Sequence, residues 1–371
     1  MNENSELEII SMSSLYRDMK QPISLSAPTE ESYSIIRQRI KTSISAPDFQ
    51  CGAIKCEEAP FEYSEVSVAY FPNAVLTKTG ALIVRDKYVI AETLEGSLTA
   101  NRVTADTAKD LAACETSDEI VISCNKHGTW NYSLYLMEVA PALYIASLIP
   151  ELARFSNKLF FESFMSPADV ENRLLIADVL GFNRSRISRQ NTELCRYKGV
   201  VVVKVNDRHK SQRLTQMLSP VVATVRQGFT KSANATPRRI YISRQSAPSR
   251  KIKNFEDLNR SVFAKHGIAP VELEKMSVVE QVDMFTKADL VIAEHGAGLV
   301  NISFMRPGSV VIEIMPSTIA GRAVYRYIAH HSRLIYFYAS IPVEADWRWD
   351  HDDLTAPLEM YEELLTRALQ S

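Results

Sequence analysis

Asp289-Leu-Val-Ile-Ala-Glu-His-Gly-Ala-Gly-Leu-Val-Asn301 is the segment on which the fold turns. Leu290 to Ala293 form an unbroken apolar run, the mark of a strand covered on both faces rather than on one. A glycine turn follows, then the start of a helix. Glycines at 296 and 298 allow close backbone approach and unusual dihedrals. The first N–H groups of a helix have no partner inside it and favour an anion, typically by about 0.3–1 kcal/mol. His295 stands at the strand's C-terminal end, where open α/β sheets bind ligands. The segment suits a diphosphate, and it equally describes a tight turn with a satisfied histidine. Gly-x-Gly-x-x-Asn is only part of a dinucleotide fingerprint and lies on the third strand of its half, which argues against a nicotinamide enzyme.

Around this segment the pattern is regular. Arg239–Ser243 reads as a strand. Asn254 caps a helix to about His266, with Glu256 and Asp257 in its first turn. Pro270–Leu273 is a short strand, and Ser277-x-x-Glu280 is a capping box opening a helix to Ala288. Ser309–Ile314 is a strand, Arg322–Ala329 a helix and Leu334–Tyr338 a strand. Alternation with short connections predicts a parallel sheet covered by helices. A helix from Ala356 to Leu369 follows a polar loop and is expected to pack back on the first half.

The first half is less regular. Strands are expected at Val66–Phe71, Ala81–Arg85, Tyr88–Ala91, Glu119–Cys124, Lys158–Phe161 and Gly199–Val205. Helices are expected at Asn131–Leu148 and Ala168–Leu180, with a hairpin tip at Arg85-Asp86-Lys87. Residues 1–60 read as a mobile leader with one helix near Glu30–Ile40. Thr230 to Pro237 reads as a linker. The domains expected are therefore 1–60 (leader), 61–235, 236–345, and 346–371 (loop and bridging helix).

At 371 residues the chain exceeds what one core usually supports. Its hydrophobic fraction of 46% and charged fraction of 23% are those of an ordinary globular protein. A net charge of −2 gives no general affinity for polyanions. Cys51, Cys56, Cys114, Cys124 and Cys195 are odd in number and irregular in spacing, which speaks against a disulfide framework and a cysteine-rich zinc site. No apolar run reaches the roughly 18–20 residues of a membrane span, and the polar start does not read as a signal peptide. A cytoplasmic protein is expected, with any membrane contact peripheral at the inner face.

A second segment carries chemistry. Arg238 to Lys253 holds Arg238, Arg239, Arg244, Arg250, Lys251 and Lys253 and no acid. Arg244 directly follows a strand, and Arg250 lies in the loop before the Asn254 helix. Guanidinium forks suit phosphate oxygens, and two from one loop can clamp a diphosphate without a metal. A solvated basic loop is the alternative.

Together the two segments resemble glycosyltransferase family 61. The matching residues are Tyr241-Ile-Ser-Arg244, Arg250-Lys-Ile-Lys-Asn254-Phe-Glu256, His295-Gly-Ala-Gly-Leu299 and Pro307-Gly-Ser-Val-Val-Ile-Glu313. The resemblance is strong over residues 236–316 and weaker over 65–235. That family includes eukaryotic O-linked N-acetylglucosaminyltransferases, plant xylosyltransferases and bacterial capsular polysaccharide proteins. The resemblance implies an α/β, GT-B-like architecture: two Rossmann-like domains facing across a cleft. It also implies an inverting, metal-independent transfer of sugar from a nucleotide-sugar donor to a glycan or glycolipid acceptor, of capsule or lipopolysaccharide type. The second half would bind the donor and the first the acceptor, with neither a cofactor nor a metal.

In the family pattern an acid follows an aromatic, histidine-containing run in the first half. Glu138 takes that position and becomes the candidate base. The usual histidine four residues earlier is Leu134 here, and His127 lies in an adjoining loop. Arg244, Arg250 and the amides of Gly296, Ala297 and Gly298 are assigned to the leaving diphosphate, with Asn301 completing the set. His295 is assigned to a phosphate or to the transferred sugar, as a second catalytic candidate. Glu313 is assigned to nucleotide ribose hydroxyls, the alternative being a solvated acid at a strand end.

Asp350-His-Asp352 has the spacing of the metal-binding pair in GT-A-type glycosyltransferases, but it lies in a polar loop away from any expected sheet edge. Trp347 and Trp349 flank it as tail anchors or sugar-stacking rings. The basic stretch Arg184 to Arg213 is a solvated face, or else it meets anionic head groups or an acidic glycan. No nucleic-acid module is present. Two rival functions stay open: a nucleotide-sugar epimerase, and a degenerate family member acting as a nucleotide-sugar or glycan-binding subunit.

Overall fold

The computed structural model describes residues 8–10, 65–78, 80–86, 88–90, 93, 111, 114–124, 131–149, 152–153, 155–159, 161, 165–182, 184–188, 192–206, 212–229 and 236–370, the last range without 320, 321, 323, 345, 349 and 350. The helix expected near Glu30–Ile40, His127, residues 230–235 of the linker, Trp349 and Asp350 lie outside the described residues. The described residues form two compact units, one ending at Val221 and the other beginning at Val222.

The first unit is built on an eight-stranded sheet. Its strands are β1 (Glu8–Ile10), β2 (Glu65–Thr77), β3 (Leu82–Val84), β4 (Tyr88–Ile90), β5 (Glu115–Ser123), β6 (Ser156–Lys158), β7 (Ile187–Ser188) and β8 (Leu194–Asn206). Their order is β1-β4-β3-β2-β8-β5-β6-β7. β8, β5, β6 and β7 run parallel, whereas β2, β3 and β4 form an antiparallel meander whose first strand pairs along β8.

Where a Rossmann-like first domain is expected, the sheet is mixed: parallel through β8-β5-β6-β7, with an antiparallel meander beside it. The reason is local. Val84 pairs with Tyr88, leaving a three-residue connection in which Arg85 and Asp86 both adopt positive φ, 54° and 53°, as tight hairpin turns require, and β3 folds back on β4. Glu8–Ile10, taken from the sequence as part of a leader, pairs parallel with β4.

Helix α1 lies between β5 and β6. It comprises Tyr132–Leu134, a π-helical segment Tyr135–Val139 and Ala140–Ser147. The Asn131 carboxamide oxygen accepts from the N–H groups of Ser133 and Leu134 at its start, a standard N-cap. Helix α2 (Pro167–Val179) precedes β7, and α3 (Gln212–Gly228) follows β8.

The second unit carries five strands: β9 (Arg239–Ile242), β10 (Ala269–Val271), β11 (Leu290–Glu294), β12 (Val310–Pro316) and β13 (Ile335–Ile341). All pairings are parallel, and the order is β10-β9-β11-β12-β13. In chain order this is 2-1-3-4-5, so the winding reverses between β9 and β11. Every residue of β11 is buried, as the apolar run of the sequence predicts.

Helix α4 (Phe255–Leu258, a π segment Asn259–Phe263, then Ala264–His266), α5 (Val278–Lys287) and α6 (Val324–His331) connect these strands. The expected capping box holds: Ser277 Oγ accepts from the Glu280 N–H, and the Glu280 carboxylate accepts from the Ser277 N–H, a device worth about 1 kcal/mol.

The last helix, α7 (Leu358–Gln370), departs from expectation. Tyr361, Leu365 and Ala368 join Tyr241, Phe263, Ile292 and Ile312 in one core cluster of the second unit. Its apolar face is thus buried in the core of its own unit. Each such large side chain contributes about 1.5–3 kcal/mol when fully buried.

Candidate functional site

The winding reversal between β9 and β11 is the place where an open parallel sheet leaves a crevice at its strands' C-terminal ends. Two segments end there. After β9 comes Arg244, and after β11 come His295 and Gly296. Six residues past Arg244 the same loop delivers Arg250. A Cβ added to Gly296 would sit 3.1 Å from Arg244 Nη1 and 3.6 Å from Arg250 Nη1. The two guanidinium groups and the glycine backbone therefore meet at one point.

Each arginine is held by main-chain oxygens. Arg244 donates from Nε and Nη2 to the Ser249 oxygen at 3.3 and 3.2 Å. Arg250 donates from Nη1 to the His295 oxygen at 2.8 Å. Arg250 itself adopts a left-handed φ of 59°.

Two positive charges are brought together here. Burial lowers the Arg244 guanidinium, with Glu294 opposing. Arg250 is pushed down to about 10, first by burial, then by the charge of Arg244, with Arg322 adding to the same repulsion. Cations held this close favour a ligand carrying negative charge.

Beyond Gly296 the chain forms a 3₁₀ helix, Ala297–Phe304. Its first internal bond runs from the Leu299 N–H to the Gly296 oxygen at 3.0 Å, so the Ala297 and Gly298 amides stand at the end that a helix leaves open.

The glycines serve packing, not dihedrals. Gly296 has φ 178°, which is extended, and Gly298 is absent from the left-handed set. A Cβ on Gly298 would come within 2.9 Å of Leu273 Cδ1 and 3.5 Å of Ile242 Cγ2. The unusual dihedrals expected of them are thus corrected to close approach: by guanidinium at 296 and by core side chains at 298.

Two further assignments change. Glu313 is 1% exposed. One of its oxygens shares a hydrogen bond with His295 Nδ1, and the other accepts from the Tyr336 hydroxyl. It is neither a solvated acid nor placed to take ribose hydroxyls, because β12 buries it beneath His295. Asn301 is 0% exposed, and its amide donates to Gln281 Oε1 at 2.9 Å. It braces the 3₁₀ helix against α5, so it does not complete the ligand-facing set.

The Asn254 cap also differs. Its side chain exchanges two bonds with Ala356, donating to the oxygen at 2.9 Å and accepting from the N–H at 2.8 Å. Glu138 is half-buried in the π segment of α1, in the first unit. Single π turns inside α-helices recur at functional positions.

Several neighbours escaped sequence reading. Tyr325 is buried with its ring 5.0 Å from that of His295. Glu294 accepts from Tyr241 at 2.7 Å and Tyr361 at 2.9 Å. Asp352 and Asp353 border the arginine loop: Arg250 N–H donates to the Asp352 oxygen at 3.0 Å and Lys251 N–H to Asp353 Oδ1 at 2.9 Å. Asp352, expected away from the sheet edge, thus borders the arginine loop, and its Oδ2 accepts from the Arg348 N–H at 2.6 Å. No spacing in the sequence announces these long-range partners.

In the basic stretch of the first unit, Arg184 pairs with Glu171 and Asp178, Arg196 with Asp86, and Arg186 donates to the Leu152 and Phe155 oxygens. Those three arginines are committed to their own unit.

Among the described residues no cluster of three or more His, Cys, Asp or Glu has the arrangement of a metal site. No helix among them is long and apolar enough to cross a membrane.

An α/β chain of parallel and mixed sheets is compatible with a Rossmann-like glycosyltransferase fold. Residues 134–312 match the model of the family described as glycosyltransferase 61, which supports that family and with it a glycosyltransferase enzyme. The match begins four residues before Glu138 and covers Arg244, Arg250, His295 and Gly296. No curated protein matches the chain. A nucleotide-sugar donor and a glycan acceptor follow from the class in general terms.

Proposed function

We propose an inverting, metal-independent transfer of a sugar from a nucleotide diphosphate donor to a glycan or glycolipid, in a GT-B arrangement of two domains. The observation that carries it is the meeting of Arg244, Arg250 and the Gly296 backbone at the winding reversal of the second sheet.

In this reading the acceptor oxygen attacks the anomeric carbon. The bond from that carbon to the diphosphate oxygen breaks, and its electron pair leaves with the diphosphate. The acceptor's proton passes to the Glu138 carboxylate, the general base. Arg244, Arg250 and the amides of Gly296, Ala297 and Gly298 face the charge that develops on the leaving group, and His295 hydrogen-bonds a phosphate or the moving sugar. Preorganised donors of this kind are each worth about 10²–10³ in rate. The two guanidinium groups supply the positive charge that other transferases take from a divalent ion. An acceptor of capsule or lipopolysaccharide type would place the enzyme at the cytoplasmic face of a membrane.

Calorimetry with nucleoside diphosphates tests the donor side. Arg244→Ala and Arg250→Ala are each expected to weaken binding about 10- to 100-fold, the loss of one or two charge-assisted hydrogen bonds, while the protein stays folded. Unchanged affinity in both variants refutes the assignment. Activity that survives EDTA supports the metal-free route, and loss restored by manganese overturns it.

A further inference from the structure

The carboxylate of Glu313 has no part in the transfer described above, yet it is buried and doubly bonded between two strands. β12 carries it under the end of β11, and β13 brings Tyr336 to its other side. The Tyr336 hydroxyl donates to Glu313 Oε2, and Glu313 Oε1 shares its hydrogen bond with His295 Nδ1. Both residues are buried, as is Tyr336.

We propose that Glu313 and Tyr336 are positioning residues for His295: they hold its imidazole with Nδ1 protonated and donating to Glu313, so that Nε2 is the nitrogen offered to the donor substrate. This rests on the reading of His295 as a donor-facing group.

The chemistry is directional. Tyr336 has its phenol raised far above the ordinary range by burial and then by Glu313, so it remains a donor. A carboxylate accepting from that phenol on one oxygen is left to accept from imidazole on the other. Which nitrogen of a histidine is protonated is set by the partner of the other nitrogen. The His295 main chain is fixed as well, with its N–H donating to the Ile314 oxygen and its own oxygen accepting from Arg250. Ring and backbone are thus both oriented before a ligand arrives. A carboxylate bonded to one ring nitrogen fixes both the tautomer and the orientation of its histidine.

The test uses the full chain with ¹⁵N-labelled histidine. In the unsubstituted protein, long-range proton–nitrogen spectra are expected to show His295 protonated at Nδ1. In Glu313→Gln that preference is lost, because a carboxamide presents either an oxygen or an NH₂ to the ring. Tyr336→Phe is expected to keep the tautomer but broaden the signal. This measurement needs no turnover, so it stands even if the transferase reading fails.

With a working assay, Glu313→Gln is expected to lower kcat about 10-fold or more with the donor KM nearly unchanged, and to shift the pH–rate profile. In a His295→Ala background the same substitution is expected to add no further loss in kcat, since the effect passes through the ring. An unprotonated Nδ1 in the unsubstituted protein overturns the proposal. So does an equal kcat loss from Glu313→Gln with and without His295. Should Glu313→Gln fail to fold, Tyr336→Phe and the unsubstituted protein's tautomer decide the matter.

Discussion

Arg250 Nη1 donates to the main-chain oxygen of His295 at 2.8 Å, tying the loop after β9 to the turn after β11. The bond places a cation beside Gly296, where an added Cβ would meet Arg244 Nη1 at 3.1 Å. The atom it would meet is the mobile end of a long side chain, so a small substituent displaces the guanidinium without disturbing the core. Gly296→Ala is therefore expected to weaken nucleoside-diphosphate binding about 10-fold, or roughly 1.4 kcal/mol, with the melting temperature within a few degrees of the original. Gly296→Val should do more. Calorimetry beside thermal unfolding checks this, and full affinity in the valine variant would show that the crevice is not the diphosphate site.

The same cluster sets a pH dependence. Arg250 is pushed down to about 10 by burial and by its neighbour Arg244. Its folded value lies below its unfolded one, so at higher pH the unfolded chain holds the extra proton and this group's unfavourable contribution to stability is relieved. Ligand affinity moves the other way: it is flat near neutrality and falls as the pH rises through about 10 and the charge is lost. Titrating diphosphate affinity between about pH 8 and about pH 11 should show that step. In Arg250→Gln the affinity is expected to be low throughout and the step absent. A step of equal size in the variant would assign it to another group.

What the sequence made legible follows from how local each cause is. The parallel second sheet could be read because its strands are continuous apolar runs and its helices carry their own start signals, as at Ser277. The pairing of Arg244 with the Gly296 turn could be read because both lie directly after strands, and strand ends in such a sheet share one edge. The Arg85–Asp86 turn was visible, but the antiparallel meander it creates beside β8 was not, because register between distant strands leaves no periodicity. The role of Glu313 is hidden for the same reason. Its position at a strand end was clear, whereas its burial under His295 depends on Tyr336, more than twenty residues on. The tail helix packs on the core of its own unit, which the sequence does not specify, because an amphipathic helix declares an apolar face without naming what covers it.

Glu294 shows how far that tail reaches. Burial raises its carboxyl above the ordinary range, against the lowering effect of its bonds from Tyr241 and Tyr361. For an acid with a raised folded value, the folded state holds the proton longer, so this group's contribution falls as pH rises from the unfolded value through the folded one. Glu294→Gln keeps an acceptor for one tyrosine and removes that pH-dependent term. The variant is expected to match or exceed the original protein in stability near pH 8, while losing ground to it in acid. Tyr361→Phe removes one donor to a buried group and should destabilise by about 1–3 kcal/mol. Denaturant titrations at two pH values separate the two outcomes. A Glu294→Gln protein that is markedly less stable at pH 8 would mean the carboxylate is held ionised.

The arginine loop is shaped from outside by residues 352–356. Leu354 bridges Ile252 in parallel, with Leu354 N–H donating to the Lys251 oxygen and Lys253 N–H to the Leu354 oxygen, both at 2.8 Å. Asn254 closes the arrangement through its two bonds to Ala356. These contacts hold Arg250 in a left-handed conformation that costs a non-glycine residue roughly 1–2 kcal/mol. Asn254→Ala removes both Ala356 bonds at once and leaves the tail's polar backbone to find water. The expected result is a stability loss of about 1–3 kcal/mol, together with weaker diphosphate binding, since Arg250 then samples other conformations. Asn254→Asp, which can still accept from the Ala356 N–H, should lie between the two. Hydrogen exchange at Lys253 and Leu354 reports directly on the pairing. If those amides stay protected in Asn254→Ala while affinity drops, the asparagine acts on the ligand itself; if they exchange faster and affinity is unchanged, the tail does not govern Arg250.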